Sequence, residues 1–200
     1  MALKEGGPAT APMDTNNKEE TMKLRTGTAF LLMVILVVLS VGFGAYRGWS
    51  QERAKVEETY AGLESMLRTR VESAYNVLAV AGRHLDSEDE NVRRVRQDRD
   101  ALEGTLGLDQ KARANDALTQ DAAALLQKLS ALPSVQGDSR DKMYVDSYLP
   151  QMMAQSEEKT AGANYNSAAR EFNQKLNSTF SGFLAKLMGI KPAEEFASNL

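Results

Sequence analysis

VEETYAGLESMLRTRVESAYNVLAVAGRHL, residues 56–85, is the stretch that decides the fold. Its apolar residues stand at Val56, Tyr60, Leu63, Leu67, Val71, Ala74, Leu78, Ala81 and Leu85, in steps of 4, 3, 4, 4, 3, 4, 3 and 4. On an α-helix this spacing draws one stripe, a near-heptad seam with one extra residue around Val71. A narrow stripe on so long a helix is buried only against other helices, so the expectation is an antiparallel bundle.

No proline separates this helix from TGTAFLLMVILVVLSVGFGAY, residues 26–46, which has no charged side chain between Arg25 and Arg47. A helix over residues 26–45 is about 30 Å long, the thickness of a bilayer's hydrocarbon core. Eleven of the residues from Phe30 to Phe43 are Leu, Ile, Val or Phe. At about −0.4 kcal/mol each they favour insertion by about 4–5 kcal/mol. Lys23 and Arg25 bound one end; Tyr46, Arg47 and Trp49 bound the other, as cations and aromatics do at headgroup depth. A cleaved signal peptide is the rival reading, with Gly42 and Gly44 as the small residues at a cleavage site. The basic flanks tie at three each (Lys18, Lys23 and Arg25 against Arg47, Arg53 and Lys55), so charge does not set orientation. A short tail before a long domain favours the bundle outside the cytoplasm.

Downstream, Ser87 and Glu90 suggest a capping box for a second helix with a face of Val92, Val95, Leu102 and Leu106. Gly104 and Gly107 loosen its end, Asp109 is a candidate restart cap, and Leu118, Ala122, Leu125, Leu129 and Leu132 continue the seam. Pro133 and Gly137 mark a loop. A last long helix is expected from about Asp141 to Thr179, its seam being Tyr148, Met152, Gln155, Gly162, Tyr165, Ala169, Phe172 and Leu176. Phe180, Phe183, Leu184, Leu187 and Met188 then share one face of a short amphipathic helix. That face is expected to pack on the end of the bundle remote from the membrane, with a protein partner or the bilayer surface as the alternatives. If residues 88–132 are one helix, the chain runs out, back and out, leaving this segment about 60 Å from the anchor; a reversal at Gly107–Asp109 would instead return it to the bilayer.

Nothing alternates with period two. The predicted fold is all-α: an N-terminal transmembrane helix, then an antiparallel bundle of three to four long helices with a short C-terminal amphipathic helix. Its parts are a disordered tail over residues 1–25, the membrane span over 26–46, the bundle over 47–188 and a C-terminal tail over 189–200.

Chemistry is sparse. The chain lacks cysteine, which removes disulfides, thiolate catalysis and Cys-based metal sites together. With 24 Lys+Arg against 27 Asp+Glu, the net charge of −3 gives no general attraction to nucleic acid. Arg93, Arg94, Arg96 and Arg99 cluster, yet Asp89 and Glu90 precede the first two by four residues, the order of surface ion pairs. His84 beside Asp86, Glu88, Asp89 and Glu90 reads as a solvated turn, since no Gly-containing calcium loop is present. No phosphate loop, nucleophile elbow or His-Glu-x-x-His pair occurs. The expectation is no catalytic, cofactor-binding or metal-ligating residue, no cofactor and no enzyme activity.

The most specific stretch is YNSAAREFN, residues 165–173, where Tyr165-Asn166 and Phe172-Asn173 repeat an aromatic–Asn pair seven residues apart. Seven residues are nearly two turns, so both amides share a stripe. With Asn76 they are expected to form a polar layer inside the bundle. The motif resembles the C-terminal signature of the bacterial LemA family, and Arg70 six residues before Asn76 matches the family's first-helix spacing. Tyr75 stands where that family usually has Pro, Ser181 where it often has Pro, and Ile190 where an aromatic follows the late Gly. The family's third-helix Glu, aliphatic and Arg positions fall on Gln155, Glu158 and Gly162, so the chain resembles a divergent member. The resemblance implies one N-terminal membrane helix, a helical bundle and no established enzymatic activity. The function it implies is a single-pass scaffold or assembly factor at the bacterial cytoplasmic membrane. The expected partners are the lipid bilayer through residues 26–46 and an unidentified protein, with self-association open and no nucleic acid. The alternatives are a signal-cleaved envelope bundle and an enzyme with an unrecognised site.

Overall fold

No proline lies between Pro12 and Pro133, and the chain answers with one very long helix, α1, Thr15–Ala81. The computed structural model describes residues 15–157 and 159–197 and divides into two units, Met1–Ala45 and Tyr46–Leu200. In the first unit, Phe30, Leu31, Leu32, Met33, Leu36, Val37 and Phe43 are all exposed. Among the described residues this is one helix long and apolar enough, by length and composition, to cross a membrane. The helix begins at Thr15 rather than near Thr26. Residues 1–14 of the expected tail lie outside the described residues.

The second unit is an all-α bundle whose seam is stricter than its apolar letters suggest. Trp49, Val56, Leu63, Arg70 and Val77 stand seven residues apart, and each is at most 7% exposed. Met66 with Leu67, Ser73 with Ala74 and Val80 with Ala81 fill the positions between. The heptad needs no extra residue at Val71, which is half-buried; the apparent insertion arises because Arg70 holds an interior position.

Helix α2, Glu90–Glu103, is capped by Asp89, whose side chain accepts from the Asn91 amide; Ser87 is not the cap. The amide of Glu88 goes to Asp86 instead. Helix α3, Leu108–Ser130, follows directly and packs along α2 as a hairpin: Lys128 pairs with Asp89 and Arg94 lies 3.8 Å from Asp121. The reversal falls at residues 104–107, where Gly104 leaves the helix for an extended conformation (φ −69°, ψ −179°). Each glycine weakens a helix by about 1 kcal/mol, and two within four residues end this one. Leu118, Ala122, Leu125 and Leu129 form the buried face of α3, while Leu106 in the turn is exposed. Gly107 occupies the N-cap of α3 without a side-chain bond, so Asp109 is not its cap.

The expected loop contains two short helices, α4, Pro133–Gln136, and α5, Ser139–Met143. A π-helical turn, Tyr144–Tyr148, joins α5 to α6, Leu149–Ser156. Pro150 has no N–H to return to the preceding turn, which favours a wider register there. The wider turn rotates the buried face by one residue, to Val145, Leu149, Met153 and Ser156; Tyr148 and Gln155 point outward and Met152 is half-buried. The chain breaks at Glu157 (φ −80°, ψ 69°), so residues 141–179 are not one helix. Helix α7, Lys159–Ser178, then buries the expected Gly162, Tyr165, Ala169, Phe172 and Leu176.

Contacts along α1 and the turn after it run in reverse order through this last segment. Arg83 and His84 meet Asp141, Arg70 meets Met153 and Ser156, Tyr60 meets Tyr165, and Trp49 meets Phe172. The C-terminal segment therefore comes back to the Trp49 end of the bundle, and the remote placement fails because residues 88–132 are a hairpin.

Helix α8, Phe180–Leu187, is capped by Thr179, whose side chain accepts from the Gly182 amide at 3.0 Å. Only glycine fits at 182, where a Cβ would stand 2.3 Å from the Leu176 carbonyl oxygen. The helix ends in a Schellman arrangement: Ile190 N–H donates to Ala185, Gly189 N–H to Lys186, and Gly189 takes φ +91°. Gly182 and Ala185 face inward, whereas Phe180, Phe183, Leu187 and Met188 face out and Leu184 is half-buried. The apolar face does not cap its own bundle. The backbone approach at Gly182 leaves no room there for large side chains.

Candidate functional site

The two signature amides of α7 do not line the interior. Asn173 donates from Nδ2 to the Ala193 carbonyl at 2.9 Å and accepts the Ala193 N–H at 2.8 Å. Asn166 repeats this with Phe196, at 2.6 and 2.8 Å. Each amide thus pairs with both main-chain groups of one tail residue. The spacing explains the repeat. Seven helical residues rise about 10.5 Å, and three extended residues span about 10 Å, so positions 173 and 166 meet positions 193 and 196. Tyr165 adds a bond from its hydroxyl to the Glu194 carbonyl at 2.7 Å, and Arg170 pairs with Glu195 at 2.7 Å. The Phe196 ring rests on Gly162, where a Cβ would stand 3.3 Å away. Asn76 is not part of this group. It is exposed, its Nδ2 3.6 Å from Met152 Sδ, so the three amides do not form one layer.

The largest buried polar side chain among the described residues is Arg70, 1% exposed. Its Nε donates to Asn115 Oδ1 at 2.9 Å. Nη1 donates to the Met153 carbonyl at 3.0 Å and Ser156 Oγ at 3.3 Å. Nη2 donates to the Asn115 carbonyl at 3.2 Å and Thr119 Oγ1 at 2.6 Å. These bonds occupy all five guanidinium N–H groups and join α1, α3 and α6. Burial lowers the pKa of the group, yet a guanidinium stays charged in a protein. A cleft of about 590 Å³ opens beside it between Thr119, Leu126, Val145 and Met153, with Asp146 and Glu157 also on its wall. Arg70 brings positive charge to that cleft but no free donor. Of the family's third-helix positions, Gln155 is exposed, Gly162 carries the Phe196 ring and Glu158 lies outside the described residues. The apolar pattern passes over Arg70; its sevenfold register with Trp49, Val56, Leu63 and Val77 is the signal that finds it.

His84 is not a solvated turn residue. Its Nε2 lies 2.8 Å from Asp141 Oδ2 and its Nδ1 3.0 Å from Ser134 Oγ. Arg83 forks onto the same carboxylate at 2.8 and 2.6 Å. The Arg83 bonds, then the His84 bond, hold the Asp141 carboxyl below its ordinary range. Ser134, His84 and Asp141 stand in the order of a hydrolytic triad, with the Asp141 carboxylate shared between His84 and the Arg83 fork. These bonds join the turn after α1 to α4 and α5.

Asp98, between α2 and α3, is the reverse case. Burial, then the charge of Asp121, pushes its pKa up to about 7, and its Oδ2 has no hydrogen-bond partner. The folded chain keeps a proton there that the unfolded chain releases near pH 4. Stability therefore falls as pH rises through the window from about 4 to 7 and is flat above it. Asp98→Asn should remove that slope. Melting temperatures at pH 5 and pH 8 should converge in the variant while the parent remains less stable at pH 8; an equal gap in both would contradict the assignment.

Among the described residues no group of three His, Asp or Glu is placed to hold a metal ion. Comparison with curated proteins gives no significant match. The sequence model of the LemA family matches residues 59–199, from the middle of α1 through the clamped tail. That match includes Arg70 and both aromatic–Asn pairs and covers more than half of the chain, which therefore belongs to the LemA family.

Proposed function

We propose that this chain is a membrane-anchored, non-catalytic bundle that serves as a scaffold or assembly factor at the bacterial cytoplasmic membrane. In this reading it crosses the membrane once, holds its bundle outside the cytoplasm and presents it to a protein partner. The observation that carries the reading is the uncharged run over residues 26–46, whose described large apolar side chains are exposed. Exposed leucine, valine and phenylalanine on every side of a helix match a hydrocarbon solvent rather than water. LemA family membership supports the layout of one anchor followed by a bundle.

Replacing Val37 with Arg should cost about 3 kcal/mol of insertion free energy, most of the margin of about 4–5 kcal/mol. The expected outcome is wild-type protein that stays in the membrane pellet through an alkaline carbonate wash and a Val37→Arg variant that is released in part, since about 1–2 kcal/mol of the margin remains. Release of the full-length wild type would overturn the anchor. The mass of the mature chain separates this reading from a signal-cleaved one, and crosslinking in native membranes tests for the protein partner.

A further inference from the structure

We propose that the outward face of α8 is a second bilayer contact, lying flat in the headgroup region of the membrane that residues 26–46 cross. The proposal rests on the anchored reading above.

Three observations carry it. The first is that the face is held outward. Phe180, Phe183 and Leu187 are 77%, 56% and 70% exposed, and Met188 continues the patch. The Thr179 cap, the backbone contact at Gly182 and the Schellman ending fix α8 from within, so these side chains cannot turn under. The rings of Phe180 and Phe183 stack on one another at 6.5 Å.

The second observation is position. Before α8, Phe172 meets Trp49 at 5.8 Å and Lys175 meets Glu52 at 3.2 Å; after it, the Lys191 carbonyl accepts from Arg53 at 2.8 Å. The segment is thus bracketed by residues 49–53. Trp49 is three residues beyond Tyr46, where the uncharged run ends, and three residues reach at most about 11 Å. Chain length alone limits Trp49 to within about 11 Å of the end of the uncharged run.

The third is charge. Residues 176–192 contain Lys186 and Lys191 and no acidic residue. An apolar face with cations and no carboxylates is the composition that binds anionic headgroups.

The absence of cysteine makes the test direct. Val37→Cys, Leu187→Cys, Phe180→Cys and Glu88→Cys variants of the full chain each receive one fluorophore. Each is reconstituted into phosphatidylcholine–phosphatidylglycerol vesicles carrying acyl-chain quenchers. Position 88 lies in the turn next to His84, at the opposite end of the bundle. The expected result is strong quenching at 37, 180 and 187 and little at 88. Quenching at 37 with none at 180 or 187 overturns the α8 contact and leaves the anchor standing. An unquenched label at 37 overturns the anchor, and then quenching at 180 and 187 alone still supports a surface contact. Labels at 180 and 187 that escape lipid quenching but become shielded as protein density rises overturn the proposal in favour of a second copy. Circular dichroism of each labelled variant confirms that the bundle is intact.

Discussion

Arg70→Ala is expected to lower the stability of the bundle by about 5 kcal/mol. Five hydrogen bonds at a net value of about 1 kcal/mol each set the scale. The loss is compounded because the Met153 and Asn115 carbonyls and Asn115 Oδ1 remain in place without this donor. A typical domain is stable by about 5–15 kcal/mol, so this one side chain carries a large share. For a bundle of this size the melting temperature should fall by about 10 °C, read by circular dichroism on the detergent-solubilised chain. Arg70→Lys keeps the charge but cannot divide it among acceptors on three helices, and Arg70→Met keeps volume without any donor. Both should fall between the parent and Arg70→Ala. A change under about 2 °C for Arg70→Ala would mean that water or rearranged side chains satisfy those acceptors, and that Arg70 does not organise the interior.

The double variant Asn166→Ala/Asn173→Ala releases the tail. Each amide makes two bonds to it, so each single change should cost about 2 kcal/mol. The two losses are coupled, since both amides hold one segment. Amide hydrogen exchange gives the specific readout, because the Ala193 and Phe196 N–H groups are themselves the donors. Their protection should collapse in the double variant while that of α2 and α3 is kept. Asn173→Asp should have an intermediate effect, retaining the bond from the Ala193 N–H and opposing its carbonyl. Asn76→Ala should leave both stability and exchange unchanged, since Asn76 touches only Met152 Sδ at 3.6 Å. Unchanged protection at residues 193 and 196 in the double variant would refute the clamp.

The sequence shows where helices bury their apolar stripes, but not where a stripe contains a polar residue or changes register. The seam of α7 from Gly162 to Leu176 and that of α3 from Leu118 to Leu129 are plain from spacing, since each interior position carries a small or apolar residue. The register of α1 is obscured by one residue, because an interior arginine reads as a surface residue until its five partners are known. Residues 145–156 mislead for another reason: a π-turn adds one residue per turn, and no regular 3.6-residue pattern anticipates it. The hairpin at residues 104–107 is suggested by its two glycines, yet propensity alone does not separate a loosened helix from a reversal. The aromatic–Asn repeat marks the right residues. What it lacks is the partner, because a tail held by its backbone carries no complementary pattern of its own.

That backbone pairing leaves α7 and the tail with unequal freedom to change over generations. Asn166 and Asn173 address the N–H and C=O of residues 196 and 193, groups that nearly every amino acid supplies. Mutation can therefore exchange the side chain at 193 widely without loosening the hold. Proline is the exception at 193 and 196, where an N–H must be given; Pro192 sits where the described bonds ask for none. At 196 the space over Gly162 also favours a flat ring. Drift should accordingly erase the letters of the tail well before it touches the two amides that hold it.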